Sequence, residues 1–196
     1  VSACSDATGI LRFNYSAIQI NTIIDVCQNN LNGKQLLHSL EDVHMIADKC
    51  CAKQDFEGLY HYPAEGTGRP HAYTIMPVIL AHEFLHKSDY QALVLQSKKE
   101  TVDEAYSIFR RPCASYASIQ YAIEDATKYM QYNIDRMMSN AVLAWNEMSG
   151  ANDEIKSKDY EEKTQKNDAI KSMIEQFVGA LHLGPNDCIG TVICNQ

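Results

Sequence analysis

His82-Glu83-Phe84-Leu85-His86 places two imidazoles four residues apart with a carboxylate between them. On a helix, residues at that spacing lie about 40° apart around the axis, so His82 and His86 share a face and can hold one metal ion. Glu83 lies about 100° round from His82, close enough to act on a water held by the ion without being a ligand. The chemistry that suits this constellation is zinc-assisted hydrolysis, with His82 and His86 as ligands and Glu83 as general base. Without the spacing, each histidine would be an ordinary core residue and Glu83 a solvent-facing acid. Three residues at the one pattern the zinc mechanism needs favour the metal.

The elements around the motif must place it. Pro77 suits the first turn of a helix, and Val78, Ile79, Leu80, Phe84 and Leu85 are apolar nearly all round, which predicts a helix packed inside the protein. Ala72-Tyr73-Thr74-Ile75 has the composition of a short strand leading into it, which in a zinc peptidase could bind an extended substrate by edge pairing and otherwise is only the approach to Pro77. Upstream, Ile20, Ile23, Ile24, Cys27 and Leu31 recur at helical spacing over Ser16 to Leu31, and Asn32-Gly33 stops that helix. A second helix is expected to follow, with Leu36, Leu37, Leu40, Val43 and Ile46 on one side and its end near Cys50-Cys51. His38 and His44, six apart, face different directions and are not expected to be ligands. Asp55 to His71, with Gly58, Gly66, Gly68, Pro63 and Pro70, reads as a loop.

Downstream, Ala92-Leu93-Val94-Leu95 reads as a short apolar segment, a candidate strand, before the polar turn Ser97-Lys98-Lys99-Glu100. From Ile119 through Ile123, Ala126, Ile134, Met137, Ala141 and Trp145 to Met148 the apolar pattern predicts one unusually long helix or two with a kink, stopped by Gly150. Asp153 to Asp168 is charged with mixed signs, a solvated helix or a linker. Ile170, Met173, Ile174, Phe177, Val178 and Leu181 then make a clean helical stripe ended by Gly184-Pro185.

With 196 residues the chain suits one domain, or one with an appendage, and can bury a real core. A net charge of −8 argues against nucleic acid or an anionic membrane as the main partner. No run approaches the roughly twenty apolar residues of a membrane span. Cys4, Cys27, Cys50, Cys51, Cys113, Cys188 and Cys194 are many for a cytosolic chain, and none forms a C-x-x-C pair. They read as disulfides of a secreted, extracellular protein, with one thiol unpaired or joined to a partner chain. Adjacent Cys50 and Cys51 should bridge to different places, because a ring between neighbours is strained. Asn14-Tyr15-Ser16 is a glycosylation sequon, placing Asn14 as an acceptor in the same compartment. The chain begins at Val1 rather than methionine, which fits an upstream signal or pro-segment already removed and fits a trimmed chain equally.

A catalytic zinc commonly takes three protein ligands and keeps a fourth position open, so the histidine pair needs one more. The metzincin extension is excluded, because Asp89 and Ala92 stand where glycine and histidine would be. A gluzincin would use a downstream glutamate from another helix, for which Glu100 or Glu104 could serve by position. Asp89, three residues past His86, is a further rival. Glu100-Thr101-Val102-Asp103-Glu104-Ala105-Tyr106-Ser107 resembles the Gly-Thr-x-Asp-x-x-Tyr-Gly motif of the aspzincins, the fungal deuterolysin and peptidyl-Lys metalloendopeptidase family of secreted zinc peptidases. Thr101, Asp103 and Tyr106 match, while Glu100 and Ser107 replace the two glycines. Cys113 and the stretch Ile123 to Tyr129 are similar to that family's cysteine and next helix, so the resemblance covers roughly residues 72 to 132.

The resemblance implies Asp103 as the third zinc ligand, Tyr106 as the donor to the developing oxyanion and Asp125 as an acidic residue of a pocket for basic side chains. It implies a zincin-like fold with a buried active-site helix; with the apolar patterns above, the expected chain is α+β, predominantly helical, with a small strand element and a helical C-terminal extension, disulfide-stapled. Residues 1–150 would form the zincin-like domain, and 151–196 a charged segment, helix and cysteine-containing tail packed on it. The implied activity is that of a secreted zinc endopeptidase acting on proteins or peptides. The alternative is a non-catalytic secreted zinc-binding or partner-binding protein, a scavenger, allergen-like protein or effector, on the same framework.

Overall fold

A computed structural model of the chain describes residues 10–11, 35–61 and 73–189. Asn14, the helix expected over Ser16 to Leu31, and Cys4, Cys27 and Cys194 lie outside the described residues. The described chain is mostly helical, with two small sheets. It divides into two compact units: residues 24–87 with 148–196, here the histidine unit, and residues 1–23 with 88–147, here the long-helix unit.

Among the described residues the histidine unit opens on strand β2, Gln35–Leu37, which pairs in parallel with β3, Tyr73–Ile75, in the register Leu37 to Ile75. Both of those residues are fully buried. The helix expected over 36–46 is therefore a strand followed by a 3-10 turn, Leu40–Met45. Backbone capping overrides the apolar spacing here. The Asp42 carboxylate accepts from the backbone N–H groups of His38 at 2.7 Å and Ser39 at 3.0 Å, ending the strand and opening the turn. Those two bonds hold the Asp42 carboxyl below its usual range. His38 and His44 are exposed.

Asp48 then caps helix α1, Lys49–Gly58, its Oδ1 accepting from Cys51 N at 3.0 Å. The loop expected from Asp55 thus begins later, because Asp55 to Gly58 close α1 and Leu59–His61 add a 3-10 turn. Buried Asp55 accepts from Tyr73 N at 3.0 Å, fixing the start of β3. Strand β3 runs without a break into α2, Met76–Lys98, with Pro77 in its first turn.

Helix α5, Glu154–Gln165, and helix α6, Asp168–Ala180, complete this unit. Ile170, Ile174, Phe177 and Leu181 recur at helical spacing on one side of α6 and its end, and all four are buried with Leu37, Phe56, Ile75 and Val78 in one core. Phe177 meets Phe56 edge to face at 6.0 Å. Lys49 Nζ donates to the Leu181 carbonyl at 3.0 Å, and Cys50 is disulfide-bonded to Cys188, so the tail is stapled onto α1. Cys51 and Cys113 are disulfide-bonded as well. The neighbours Cys50 and Cys51 therefore have different partners, as expected.

In the long-helix unit α2 continues through Leu93-Val94-Leu95 as helix rather than strand. It passes through a π turn, Lys99–Asp103, into α3, Glu104–Ile108. Strand β4, Arg111–Pro112, pairs antiparallel with β1, Ile10–Leu11. Helix α4, Ile119–Ser149, is a single helix of 31 residues. Met137 and Ala141 on α4 are buried with Val94 and Val102, and Ala122 and Ala126 with Phe109. No helix among the described residues is long and apolar enough to cross a membrane.

Candidate metal centre

Helix α2 carries His82 and His86 on the face that packs inward. Val78, one turn before His82, is 1% exposed, and His82 itself is 4% exposed. The helix is not buried all round, since Phe84 on the other side is 55% exposed with Lys87 Nζ 5.7 Å from its ring centre. The two imidazoles stand edge to face, with centroids 4.5 Å apart, and their Nε2 atoms lie 2.9 Å from each other. Helical spacing alone brings them together.

The third group comes from α5. Gly150 ends α4 with φ +69°, and a Cβ there would stand 2.7 Å from the Lys156 carbonyl carbon, so only glycine lets the chain turn this closely into the next helix. Asp153 caps α5 by accepting from Ile155 N and Lys156 N, each at 3.1 Å. Tyr160, Thr164 and Gln165 are buried, and Gln165 Nε2 donates to the Leu59 carbonyl, locking the helix end to the turn after α1. This seating delivers Glu161 to the histidines. Its Oε2 lies 2.8 Å from His82 Nε2 and its Oε1 3.6 Å from His86 Nε2.

His82, His86 and Glu161 form the one group among the described residues able to hold a metal ion with three histidine, cysteine or acidic ligands. No family model, curated protein or solved structure matches the chain. The donor set therefore has to be judged on its own chemistry. Tetrahedral zinc with bonds of about 2.0–2.1 Å holds its ligand atoms about 3.3 Å apart; here the two Nε2 atoms are 2.9 Å apart, and the carboxylate meets them through different oxygens, Oε2 at 2.8 Å from His82 and Oε1 at 3.6 Å from His86. Glu161 Oε2 is buried without a hydrogen-bond partner, its approach to His82 being at ion-pair distance but off the hydrogen-bond angles. Two imidazoles and a carboxylate converging on one point, with an oxygen lacking a well-directed partner, fit a divalent cation.

Burial alone would raise the Glu161 carboxyl, but its polar contacts with His82 and His86 and their charge outweigh that and bring it down to about 2. The group is thus held as an anion well below the ordinary carboxylate range, as suits a metal ligand. On the opposite side of His86, Nδ1 lies 3.2 Å from the Tyr160 hydroxyl, and the two rings are 5.2 Å apart.

Glu83 is half-buried on α2 beside His82. Asp103 belongs to the long-helix unit and is not in the metal group. Its Oδ1 accepts from Lys98 Nζ at 2.7 Å across the π turn. Lacking the two glycines of the resembled motif, residues 100–107 stay helical, and none of them takes a positive φ. Asp89, Glu100 and Glu104 are likewise outside the group. Tyr106 is 38% exposed on α3, and Asp125, exposed on α4, accepts from the Tyr116 hydroxyl at 2.5 Å. Burial, with the bond to Asp125 next, pushes the Tyr116 phenol up to about 12.

Sequence reasoning missed Tyr160 and Glu161. The segment that holds them is dominated by charge, so Glu161 is one acid among several. The available signal was Tyr160 itself, the sole aromatic residue between Asp153 and Asp168, with Thr164 one turn on.

Proposed function

We propose that the protein is a secreted zinc-dependent peptidase whose zinc is held by His82, His86 and Glu161, with Glu83 as general base. The observation that carries this reading is the convergence of the Glu161 carboxylate on the Nε2 atoms of the His-Glu-x-x-His turn, at 2.8 and 3.6 Å. Two histidines from one helix and a glutamate from a later one are the ligand pattern considered above for a gluzincin. The proposal keeps the zinc-peptidase class and the zincin-like framework of the aspzincin resemblance, and replaces Asp103 by Glu161.

When bound, zinc would supply an acidified water and a polarised substrate carbonyl. Glu83, next to His82 and half-buried, takes the proton from the attacking water and returns it to the leaving amine. Glu161 and His86 have side chains 23% and 16% exposed, so the centre lies within reach of water. Disulfides at Cys50, Cys51, Cys113 and Cys188 support an oxidising, extracellular setting. Tyr106 and Asp125 have no part in this mechanism.

A second reading, a non-catalytic zinc-binding protein, is favoured by one observation: an ion between Glu161 and the histidine pair would cross-link α5 to α2 whether or not any chemistry follows. Zinc content and hydrolysis of casein and a peptide library, for wild type and Glu83→Gln, separate the two. The peptidase reading expects one zinc per chain in both proteins and a loss of hydrolysis of about 10²- to 10⁴-fold in Glu83→Gln. Zinc in both with no hydrolysis dependent on Glu83 leaves the second reading.

A further inference from the structure

We propose that Tyr160 is the positioning residue of this centre, its phenolic oxygen accepting the Nδ1 proton of His86. The proposal rests on the metal reading above and adds to it the residue that sets the state of one ligand. A neutral imidazole carries a single proton. If Nε2 of His86 faces the ion, that proton sits on Nδ1 and needs an acceptor. Tyr160 Oη is 3.2 Å away, on the side of the ring turned from His82 and Glu161. Tyr160 is only 9% exposed, which limits the access of water as a substitute acceptor.

The phenol is itself held in place. Its ring is tilted 35° to that of His86 at 5.2 Å, and the Tyr160 carbonyl accepts from Thr164 Oγ1 at 3.2 Å. Tyr160 and Glu161 are consecutive, so a single turn of α5 delivers a ligand to one side of the histidine pair and an acceptor to the other. Such a partner fixes both the tautomer and the orientation of the ligating ring.

The test is zinc titration of wild type and Tyr160→Phe against a competing chelator, with nitrogen-15 NMR of the histidine rings in the zinc-loaded wild type. Phenylalanine keeps the ring packing and removes only the oxygen. Zinc affinity is expected to fall by about 10- to 100-fold while the zinc-free protein stays folded, its unfolding midpoint lowered only by the loss of one hydrogen bond, and His86 is expected to carry its proton on Nδ1. A packing role would predict equal zinc affinity for the two proteins, and that result overturns the proposal. So does a zinc-loaded His86 with its proton on Nε2, a measurement that requires no variant. A wild type that binds no zinc instead sinks the metal reading on which the inference stands.

Discussion

The Nε2 atoms of His82 and His86 are 2.9 Å apart with ring planes at 86°, and Glu161 Oε2 completes the group at 2.8 Å from His82. Two neutral imidazoles at that distance can be reconciled only if one donates to the other, while a carboxylate in the same place favours positive charge. A proton can supply that charge, and so can a metal ion. The two compete for the same centre.

Removing the carboxylate should remove the ion. Glu161→Gln keeps the shape but exchanges one acceptor oxygen for an amide donor and loses the anionic ligand, so zinc affinity should fall by more than the roughly 10- to 100-fold typical of losing an outer partner. Asp103→Asn, which touches the Lys98 pair on the π turn, should leave zinc affinity within about twofold of wild type, below what even an outer partner is worth. Zinc titration of the two variants side by side decides between the ligand sets. Loss of zinc in Asp103→Asn with retention in Glu161→Gln would restore the aspartate assignment and end this one.

What could be read from the sequence follows from how local each determinant is. His82 and His86 share a face by helical periodicity alone, β3 follows from the composition of Tyr73 to Ile75, and α6 from the stripe Ile170, Ile174, Phe177 and Leu181. Glu161 is brought in by tertiary seating: the turn at Gly150, the cap at Asp153 and the anchor of Gln165 on Leu59. None of these carries a periodic signal pointing at the histidines. The strand at Gln35–Leu37 was hidden for a different reason, since Leu36, Leu37, Leu40 and Val43 have helical spacing but Asp42 takes the backbone N–H groups a helix would need.

Acid should expel the metal and then weaken the metal-free fold. Zinc needs neutral imidazoles, so its affinity should fall steadily as pH drops through the range in which histidine protonates, with protons taken up as zinc leaves. In the metal-free protein the folded-state pKa of Glu161 is about 2 against an ordinary 4.5. A depressed acid contributes stability that is present above its unfolded value and lost as pH falls through the folded one. The difference in unfolding midpoint between metal-free wild type and Glu161→Gln should therefore be larger at pH 5 than at pH 2. Denaturant titration at both values measures it, and a gap that grows toward pH 2 would show the carboxylate is not held by the histidines.

Gly150 should matter to the metal although it carries no ligand atom. Its φ of +69° is a conformation L side chains rarely adopt, and an added Cβ would press on the Lys156 carbonyl carbon at 2.7 Å. Gly150→Ala is expected to cost more than about 1 kcal/mol, because an alanine forced to a positive φ loses more than its reduced unfolded-state entropy gains. Relief of the clash must come from moving the start of α5, and Tyr160 and Glu161 ride on that helix. Zinc affinity should therefore fall together with stability. By contrast, Ile155→Ala, at a side chain 74% exposed on the first turn of α5, should change neither. Denaturant unfolding and zinc titration of both variants make the comparison, and a Gly150→Ala protein that loses stability but binds zinc like wild type would mean that the seating of α5 does not govern the centre.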